Sequence, residues 1–455
     1  MSDELLAISP LDGRYAHAID ALRDYFSEFA FIRDRARLEV AYFTALSQDA
    51  HLIRELTPTE LDILQSLNDS FSLDEAQQCK EIEQVTRHDV KAIESFLRAR
   101  LAPTSLSDLL EFLHFGLTSE DVNNLAQSLE LRESRDKVIL PALDGIIEQL
   151  GGFIREYKSM PMLARTHGQP AVPTTFGKEM SVFYIRLRKQ RAVLSTFGFE
   201  GKLNGAVGNF NALVSAAPQV DWLAFSEGFI HSLGLQSNLV TTQIIPYDNW
   251  IRFFYTLHLI NSILLDLVQD IWHYISNGYL KLKLVATEVG SSTMPQKVNP
   301  IDFENAEGNL GLANALFAHY ASKLPISRLQ RDLSDSTVRR TFGTALGHTL
   351  VAWVSLARGL GRIEADEFAM RTDLEAHWEV VTEGAQTILR SAGVHEAYDR
   401  LKAMVRGKQL TQEMFNKWVE DLPCDKSVKE KLRALSPLTY IGLAERIAER
   451  ALTEE

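Results

Sequence analysis

The spacing of apolar residues predicts helices along almost the whole chain. Long stretches lack the strict alternation of apolar and polar residues that a half-buried strand shows between turn signals. These stretches are 17–48, 73–101, 106–133, 136–158 and 174–199. Glycine and proline, at 25 and 14 of 455 residues, are sparse enough to leave them uninterrupted. The pattern therefore predicts an all-α protein.

The longest pattern runs from Tyr247 to Leu280. Polar residues such as Asn261 and Asp266 interrupt the run of about 20 apolar residues that a membrane span needs, so no membrane contact is expected. A helix of about 35 residues would be roughly 52 Å long, and it is apolar on all faces, so we expect it to pack in a bundle against other subunits. An internal helix of a large monomer is the alternative. The positions that define one face are Ile251, Phe254, Leu257, Ile260, Leu264, Leu267, Ile271 and Ile275.

Breaks in the helical pattern indicate three domains. The proline-containing turn near Pro103 and the charged segment 361–367 are the expected boundaries. The predicted domains are an N-terminal helical domain (1–110), a central long-helix bundle (111–362) and a C-terminal helical domain (363–455).

Composition and charge narrow the class of protein. The net charge of −13 argues against a surface that binds nucleic acid or anionic lipid, although a local basic pocket for a small anion is compatible with it. Cys79 and Cys424 match no metal-ligand or redox spacing, and the first residues, MSDELLAISP, carry no apolar signal region. We expect a cytoplasmic protein.

The segment GSSTMPQKVNP, residues 290–300, predicts a loop that leads into a helix. Asn299 at the cap and Pro300 at the first helical position would start that helix, which places Lys297 and Asn299 where free N–H groups favour an anion. Ser291 and Ser292 follow Gly290, which lets the backbone approach a ligand closely. A loop whose serines only satisfy backbone groups is the alternative.

This segment resembles the signature G-S-S-x-M-P-x-K-x-N-P of the fumarase/aspartase superfamily, whose members eliminate fumarate from a substituted succinate. Further segments are similar, in order and spacing, to the adenylosuccinate lyase branch: SPLDGRY (9–15), TRHDVKAIE (86–94), HFGLTSEDVNN (114–124), RTHGQPAVPTTFGKEM (165–180), LNGAVGNFNA (203–212), TTQI (241–244) and SRLQRDLSDSTVRR (327–340). The resemblance implies a fumarase/aspartase-like three-domain fold and a homotetramer whose active sites are shared between subunits. Gln296, where this branch commonly has histidine, is similar to argininosuccinate lyases and keeps that activity as an alternative.

The resemblance implies two reactions, the cleavage of adenylosuccinate to AMP and fumarate and of the succinyl-carboxamide imidazole ribotide (SAICAR) to its carboxamide (AICAR) and fumarate. Such an elimination needs a base, a group that stabilises the carbanion, and an acid for the departing nitrogen. By resemblance, His167 is the general acid and Ser291 the general base. Without the resemblance, a loop histidine such as His167 would more often be a hydrogen-bonding residue of the loop than a catalyst. Because no redox or covalent step is involved, neither metal nor cofactor is expected.

The resemblance also implies a set of substrate-binding residues. The partners of the phosphate and ribose are Arg14, Tyr15, Arg331, Ser336, Thr337 and Arg340. Residues expected to orient the substrate or to contact its succinyl group or base are Arg87, His88, Asp89, Thr118, Ser119 and Gln243. For Thr118 and Ser119, simple capping of the helix that follows is the alternative, and both roles can coexist. Those of the signature segment and the following helix are Ser292, Lys297, Asn299 and Asn305.

His114 is expected to be a core histidine on a helix face and is left out of the site. The chain contains no phosphate-binding loop, no H-E-x-x-H zinc helix and no dinucleotide fingerprint. A catalytically silent helical scaffold of the same fold is the non-enzyme alternative, although the set His167, Ser291, Lys297 and Asn299 is intact.

Overall fold

The computed structural model describes residues 5–283, 294, 297–397, 399, 401–402 and 410–454. Ser291, Ser292 and Gln296 therefore lie outside the described residues. The described part is mainly helical, which confirms the predicted fold class. In chain order its α-helices are α1 Ala16–Ile19, α2 Arg23–Phe26, α3 Glu28–Gln48, α4 Pro58–Asp69, α5 Leu73–Thr86, α6 Asp89–Leu101, α7 Ser119–Ser134, α8 Leu140–Tyr157, α9 Phe176–Ser195, α10 Asn211–Ala216, α11 Trp222–Ser232, α12 Asp248–Ser276, α13 Ile301–Lys323, α14 Ser334–Arg339, α15 Phe342–Leu360, α16 Glu367–Glu375, α17 Thr382–Ser391, α18 Gln412–Glu420, α19 Lys426–Arg433 and α20 Ala444–Thr453.

Shorter helical segments and strands connect these helices. The 3₁₀ segments are Asp20–Leu22, Ser105–Phe112 and Trp378–Val381, and a π-helical turn, Arg135–Ile139, joins α7 to α8. The strands are β1 Pro161–Thr166, β2 Gln169–Thr175, β3 Glu200–Gly201, β4 Gln236–Ser237, β5 Leu280–Leu282 and β6 Ile363–Ala365. They pair as β1–β2 and β5–β6, both antiparallel, and as β3–β4, which is parallel.

Three of the predicted helical stretches are interrupted by helix caps. In 106–133 the 3₁₀ segment ends at Phe112, and Thr118 caps α7. In 17–48 the chain is extended at Ser27, whose Oγ accepts a hydrogen bond from the N–H of Ala30 at 3.1 Å and starts α3. In 73–101, Arg87 ends α5 in the left-handed region at φ 53°, and the Nδ1 atom of His88 accepts from the N–H of Lys91 at 3.1 Å to start α6. Local hydrogen bonds of cap side chains therefore divide stretches that the apolar spacing alone predicts as single helices.

The longest predicted helix is present but shorter than expected. Helix α12 has 29 residues, which is about 44 Å. It ends in a Schellman motif, in which Gly278 is left-handed at φ 76° and the N–H of Tyr279 bonds the carbonyl of Tyr274 at 2.8 Å. The predicted face is buried from Ile251 to Ile271.

Helix α12 is also apolar enough to cross a membrane by length and composition. It is the helix that passes this test among the described residues, and 56% of its most apolar window is buried inside the protein. A core helix of a globular protein passes the same test, and the buried face of α12 is that of a core helix.

Contacts group the chain into two compact units. Unit 1 comprises Met1–Ala142, Arg191–Ser262 and Asn309–Ala352, and unit 2 comprises Leu143–Gln190, Ile263–Gly308 and Trp353–Glu455. In unit 1, the rings of Trp250, Phe254, Tyr320 and Phe342 pack with centroids 4.7–5.8 Å apart. In unit 2, a buried cluster includes Leu163 of β1 and many apolar residues of the C-terminal helices. The division into 1–110, 111–362 and 363–455 stays a prediction.

Candidate active site

The first turn of α7 is organised by a buried carboxylate in unit 1. Thr118 caps the helix, and its N–H donates to Asp121 Oδ2 at 2.9 Å. Asp121 also accepts from the backbone N–H groups of Asn204 at 3.0 Å and Gly205 at 3.1 Å, and its Oδ1 lies 2.9 Å from Lys202 Nζ. Asp121 and Lys202 are both fully buried. One carboxylate therefore fixes the predicted residues Thr118 and Ser119 against the segment 202–205.

The segment 202–208 is joined in turn to the segment that carries Gln243. The amide of Asn204 donates to Thr241 Oγ1 at 2.9 Å. Gly208 has φ 79°, and a Cβ atom there would lie 2.4 Å from the carbonyl oxygen of Thr241, so only glycine fits this approach. The Nε2 atom of Gln243 donates to the carbonyl of Ala206 at 3.1 Å. Gln243 is thereby placed beside the glycine-containing segment.

A buried ion network connects the start of α7 to the segment 327–340. Glu120 is fully buried, and Arg331 and Arg339 both bind it, with Nη2 of Arg331 3.0 Å from Oε2 and Nη1 of Arg339 2.8 Å from Oε1. Arg331 also donates from Nη1 to Gln243 Oε1 at 3.2 Å. The structure therefore brings together the predicted residues Thr118, Ser119, Gln243 and Arg331.

The next arginine along the chain belongs to a second cluster in unit 1. Arg340 lies 3.0 Å from Glu28 and 3.6 Å from Asp89, and Asp89 also binds Arg35 at 2.7 Å. Burial alone would raise the pKa of Asp89, but the charge and hydrogen bond of Arg35 outweigh it and lower the pKa below its usual value. The predicted residues Asp89 and Arg340 are thus direct neighbours.

Arg340 lines two cavities in unit 1. One of about 240 Å³ is lined by Arg340, Glu28, Glu130 and several aromatic residues, and burial raises the pKa of Glu130 well above its usual value. Another of about 150 Å³ is lined by Arg340 together with Ser9 and Asp12 of the first predicted segment. The arginine that was predicted to bind phosphate therefore borders open space.

The other predicted residues of unit 1 lie at helix ends and turns. Arg87 and His88 are exposed between α5 and α6. Ser336 and Thr337 are on the short helix α14, half-buried and exposed respectively. Arg14 is exposed, and the N–H of Tyr15 closes the first turn by bonding the carbonyl of Pro10 at 2.8 Å.

His167 lies at the tip of a β-hairpin in unit 2. Thr166 pairs with Gln169, so His167 and Gly168 form a two-residue loop. Their φ angles are 54° and 72°, as the two central residues of a type I′ turn require. The sequence predicted a non-helical connection here but not the strands. The turn leaves the His167 side chain exposed.

The hairpin is anchored within unit 2 next to its tip. Arg165 Nη2 lies 2.7 Å from Asp373 Oδ2 of α16, and the hydroxyl of Tyr279 donates to the same carboxylate. Burial, and to a lesser extent the hydrogen bond to that carboxylate, raises the pKa of Tyr279. These contacts fix the strand that leads to His167.

Both ends of the signature segment are held by the chain between Arg358 and Ala365. Before it, β5 pairs with β6, and the N–H of Lys283 bonds the carbonyl of Arg362 at 2.7 Å. After it, the buried carboxylate of Asp302 accepts from Nε of Arg358 at 2.7 Å. Helix α13 begins at Ile301, one residue later than predicted, because the Pro300 carbonyl accepts the first helical hydrogen bond, from Glu304.

The described residues of this segment differ in exposure. Lys297 is exposed, and its N–H bonds the carbonyl of Met294 at 3.0 Å. Asn299 is half-buried, and the amide of Asn305 donates to Ser355 Oγ at 2.8 Å. Asn305 is therefore bonded to α15, and its role toward a substrate stays a prediction.

Sequence reasoning placed His114 incorrectly and missed several buried charges. His114 is in a turn with φ 57°, not on a helix face, and its Nδ1 lies 2.6 Å from Glu39 Oε1. The missed residues Glu120, Asp121 and Arg339 fall inside the segments HFGLTSEDVNN and SRLQRDLSDSTVRR that carried the resemblance. Two consecutive acids in the first turn after a helix cap are the signal that could have identified Glu120 and Asp121.

Comparisons with known proteins find relatives along nearly the whole chain. A family model described as lyase matches residues 13–314, and one described as adenylosuccinate lyase C-terminal matches residues 327–441. The adenylosuccinate lyase of Haemophilus influenzae is 44% identical over 450 residues, covering 98% of both chains, and that of Escherichia coli is 44% identical over 444 residues, covering 97% of both.

Solved structures show the same fold at lower identity. A fumarate lyase from Mesorhizobium sp. BNC1 aligns with a TM-score of 0.77 at 19% identity, covering 96% of this chain and 98% of that one. A 3-carboxy-cis,cis-muconate lactonizing enzyme from Pseudomonas putida aligns with a TM-score of 0.76 at 20% identity, covering 95% and 96%. The family models and the full-length relatives show that the chain is a lyase and belongs to the adenylosuccinate lyase family.

Proposed function

We propose that this protein cleaves adenylosuccinate to AMP and fumarate, and SAICAR to AICAR and fumarate. The observation that carries the proposal is the 44% identity to adenylosuccinate lyases over nearly the full length of both chains. The match of residues 327–441 to the adenylosuccinate lyase C-terminal family favours this substrate over argininosuccinate, the alternative raised by Gln296.

The elimination involves two proton transfers: a base removes a proton from carbon, and an acid donates a proton to nitrogen. A base removes the proton from the succinyl carbon next to a carboxylate, the electron pair of that C–H bond becomes the new C=C bond, and the C–N bond breaks. The acid then protonates the departing nitrogen, which leaves fumarate and the nucleotide. We assign the acid to His167 and the base to Ser291.

His167 suits the role of acid by its setting as well as by its chemistry. Imidazole exchanges a proton near neutral pH. The type I′ turn presents this side chain to solvent, and the Arg165–Asp373 pair at 2.7 Å holds the strand before it. A proton donor on a turn that is fixed by such contacts keeps its orientation when a substrate binds.

Substrate carboxylates and phosphate need donors of opposite charge. Thr118 and Ser119 lie at the start of α7, a helix of 16 residues whose positive dipole end favours an anion. The N–H of Thr118 is bonded to Asp121, so the hydroxyls of both residues and the N–H of Ser119 are assigned to the substrate carboxylates. Lys297 and Asn299 precede α13 and are assigned to the carboxylate on which negative charge grows during proton removal. Arg14, Arg331 and Arg340 are assigned to the phosphate side.

A homotetramer with shared active sites is part of the proposal. In the single chain, the long helices leave large apolar side chains exposed, which is typical of surfaces that subunits cover. On α12 these are Tyr255, at 55% exposure, Leu259, at 45%, and Trp272, at 42%, and α13 contributes Leu312 at 55%. A fully active, stable monomer would contradict this part.

The test is a spectrophotometric assay of the purified protein with adenylosuccinate. Wild type is expected to turn over, and His167→Gln and Ser291→Ala are each expected to lose about 100-fold or more in kcat, the usual range for a general acid or base. Size-exclusion chromatography with light scattering checks that each variant keeps the wild-type assembly. Folded variants with wild-type kcat would refute the acid and base assignments, while an inactive wild type would refute the function itself.

A further inference from the structure

Glu120 is the point at which two arginines of one segment meet the first turn of α7. Arg339 donates to both carboxylate oxygens, from Nη1 to Oε1 at 2.8 Å and from Nη2 to Oε2 at 3.1 Å, and Nη2 of Arg331 lies 3.0 Å from the same Oε2. The Glu120 side chain is fully buried, whereas that of Arg331 is 15% exposed. Glu120 therefore holds the Arg331 guanidinium in place from inside the protein, while the guanidinium itself remains partly accessible to solvent.

The far side of Glu120 is fixed by a second set of contacts. Arg339 is 4% exposed and also binds Asp335 at 3.1 Å and Gln127 Oε1 at 2.6 Å. Asp335 accepts in turn from the Tyr247 hydroxyl at 2.6 Å. Buried charge pairs with several hydrogen bonds have one favourable geometry, so Glu120 cannot turn away from Arg331 without also breaking its two hydrogen bonds with Arg339.

Arg331 is restrained on its other side by Gln243. Its Nη1 donates to Gln243 Oε1 at 3.2 Å, and the backbone N–H of Gln243 bonds the carbonyl of Gln330 at 3.3 Å. Nη1 is engaged by this hydrogen bond and Nη2 by the ion pair with Glu120, and each terminal nitrogen carries two hydrogens, so each can also donate to a further acceptor. A planar guanidinium held by both arms can present those hydrogens in one direction only.

We propose that Glu120 is a positioning residue for substrate binding: through Arg331 it aims the remaining guanidinium hydrogens at an anionic group of the nucleotide. The inference rests on the proposed function and adds a residue that the resemblance did not assign. Glu120 acts through Arg331 and does not itself touch substrate. Its removal should therefore weaken nucleotide binding and leave the chemical step nearly unchanged.

The primary test is Glu120→Gln, which keeps the size of the side chain and removes its charge. The KM for adenylosuccinate is expected to rise about 10- to 100-fold, the range for loss of a hydrogen bond to a charged group, with kcat within about threefold of wild type. The dissociation constant of AMP, measured by calorimetry without turnover, should rise by a similar factor.

Asp335→Asn is the matched control. It removes the charge of another buried carboxylate from Arg339 but leaves the Arg331–Glu120 contact intact. Its KM and AMP affinity should stay within about threefold of wild type. Equal increases in KM for both variants would mean that the loss of any charge from the network is enough, and the proposal would be wrong.

A double-mutant cycle tests whether Glu120 acts through Arg331. In an Arg331→Gln background, Glu120→Gln should raise KM no further, whereas independent roles would give additive effects. Glu120→Asp covers the case in which Glu120→Gln fails to fold. It keeps the charge but is one methylene too short to reach both arginines, so it should also raise KM.

The outcomes separate this inference from the proposed function. A wild-type protein that neither cleaves adenylosuccinate nor binds AMP refutes both. An active wild type with unchanged KM in Glu120→Gln and Glu120→Asp refutes the inference alone.

Discussion

Replacing Asp121 by asparagine should destabilise the protein severely. The carboxylate is fully buried 2.9 Å from Lys202 Nζ and accepts three backbone N–H bonds, from Thr118, Asn204 and Gly205. At an effective dielectric constant of about 20, two charges at that distance attract by about 6 kcal/mol. Removing one partner of such a pair leaves the other charge buried, which typically lowers the free energy of unfolding by about 3–5 kcal/mol. We expect Asp121→Asn to fall in that range.

The assay is urea unfolding followed by circular dichroism. Asp266→Asn is the control, because Asp266 also binds a cation, Arg186, at 2.6 Å, but the two side chains are 52% and 40% exposed. An exposed pair contributes at most about 1 kcal/mol, so this variant should unfold near wild type. The double variant Asp121→Asn with Lys202→Met removes both charges and should recover part of the loss. Asp121→Asn with a stability within about 1 kcal/mol of wild type would refute this reasoning.

Two further predictions concern other residues of unit 1. Burial lowers the pKa of His114, but the Glu39 carboxylate outweighs it and raises the pKa above 6.5. The stabilisation that the His114–Glu39 pair provides is therefore complete below about pH 6.5 and is lost as the pH rises through the raised pKa. The free energy of unfolding, measured in urea near pH 6 and near pH 9, should therefore change less with pH for His114→Asn than for wild type. An equal difference in both proteins would contradict this. Gly208→Ala places a Cβ atom 2.4 Å from the Thr241 carbonyl oxygen at φ 79°; it should lose about 2 kcal/mol or more in the same assay, whereas Gly152→Ala, a helical site with open space, should lose nothing.

The sequence predicts elements governed by local bonds and apolar spacing. Thr118 was identified as a helix cap from its type and position, and the face of α12 from Ile251 to Ile271 was identified from its period. The hairpin at His167 was missed because its second strand contains Pro170 and Pro173, which argue against a strand when read alone. The start of α13 was placed one residue early, within the usual uncertainty of a helix end.

The buried charges could not be inferred from one sequence. Asp121 and Lys202 are 81 positions apart in the numbering, and Glu120 and Arg339 are 219 apart, so neither pair leaves a local pattern. Charged residues are normally exposed, and only the fold shows that these are paired inside. The resemblance supplied Arg331 and Gln243 as candidates, whereas the contact that holds them in place required the structure.

The measurement that tests the account most directly is the product analysis of wild-type protein incubated with adenylosuccinate and, separately, with argininosuccinate. Chromatography of each reaction quantifies the nucleotide and fumarate that are released. The account predicts AMP and fumarate in equal amounts from adenylosuccinate and no fumarate from argininosuccinate. Fumarate from argininosuccinate without AMP from adenylosuccinate, or no product from either, would contradict it.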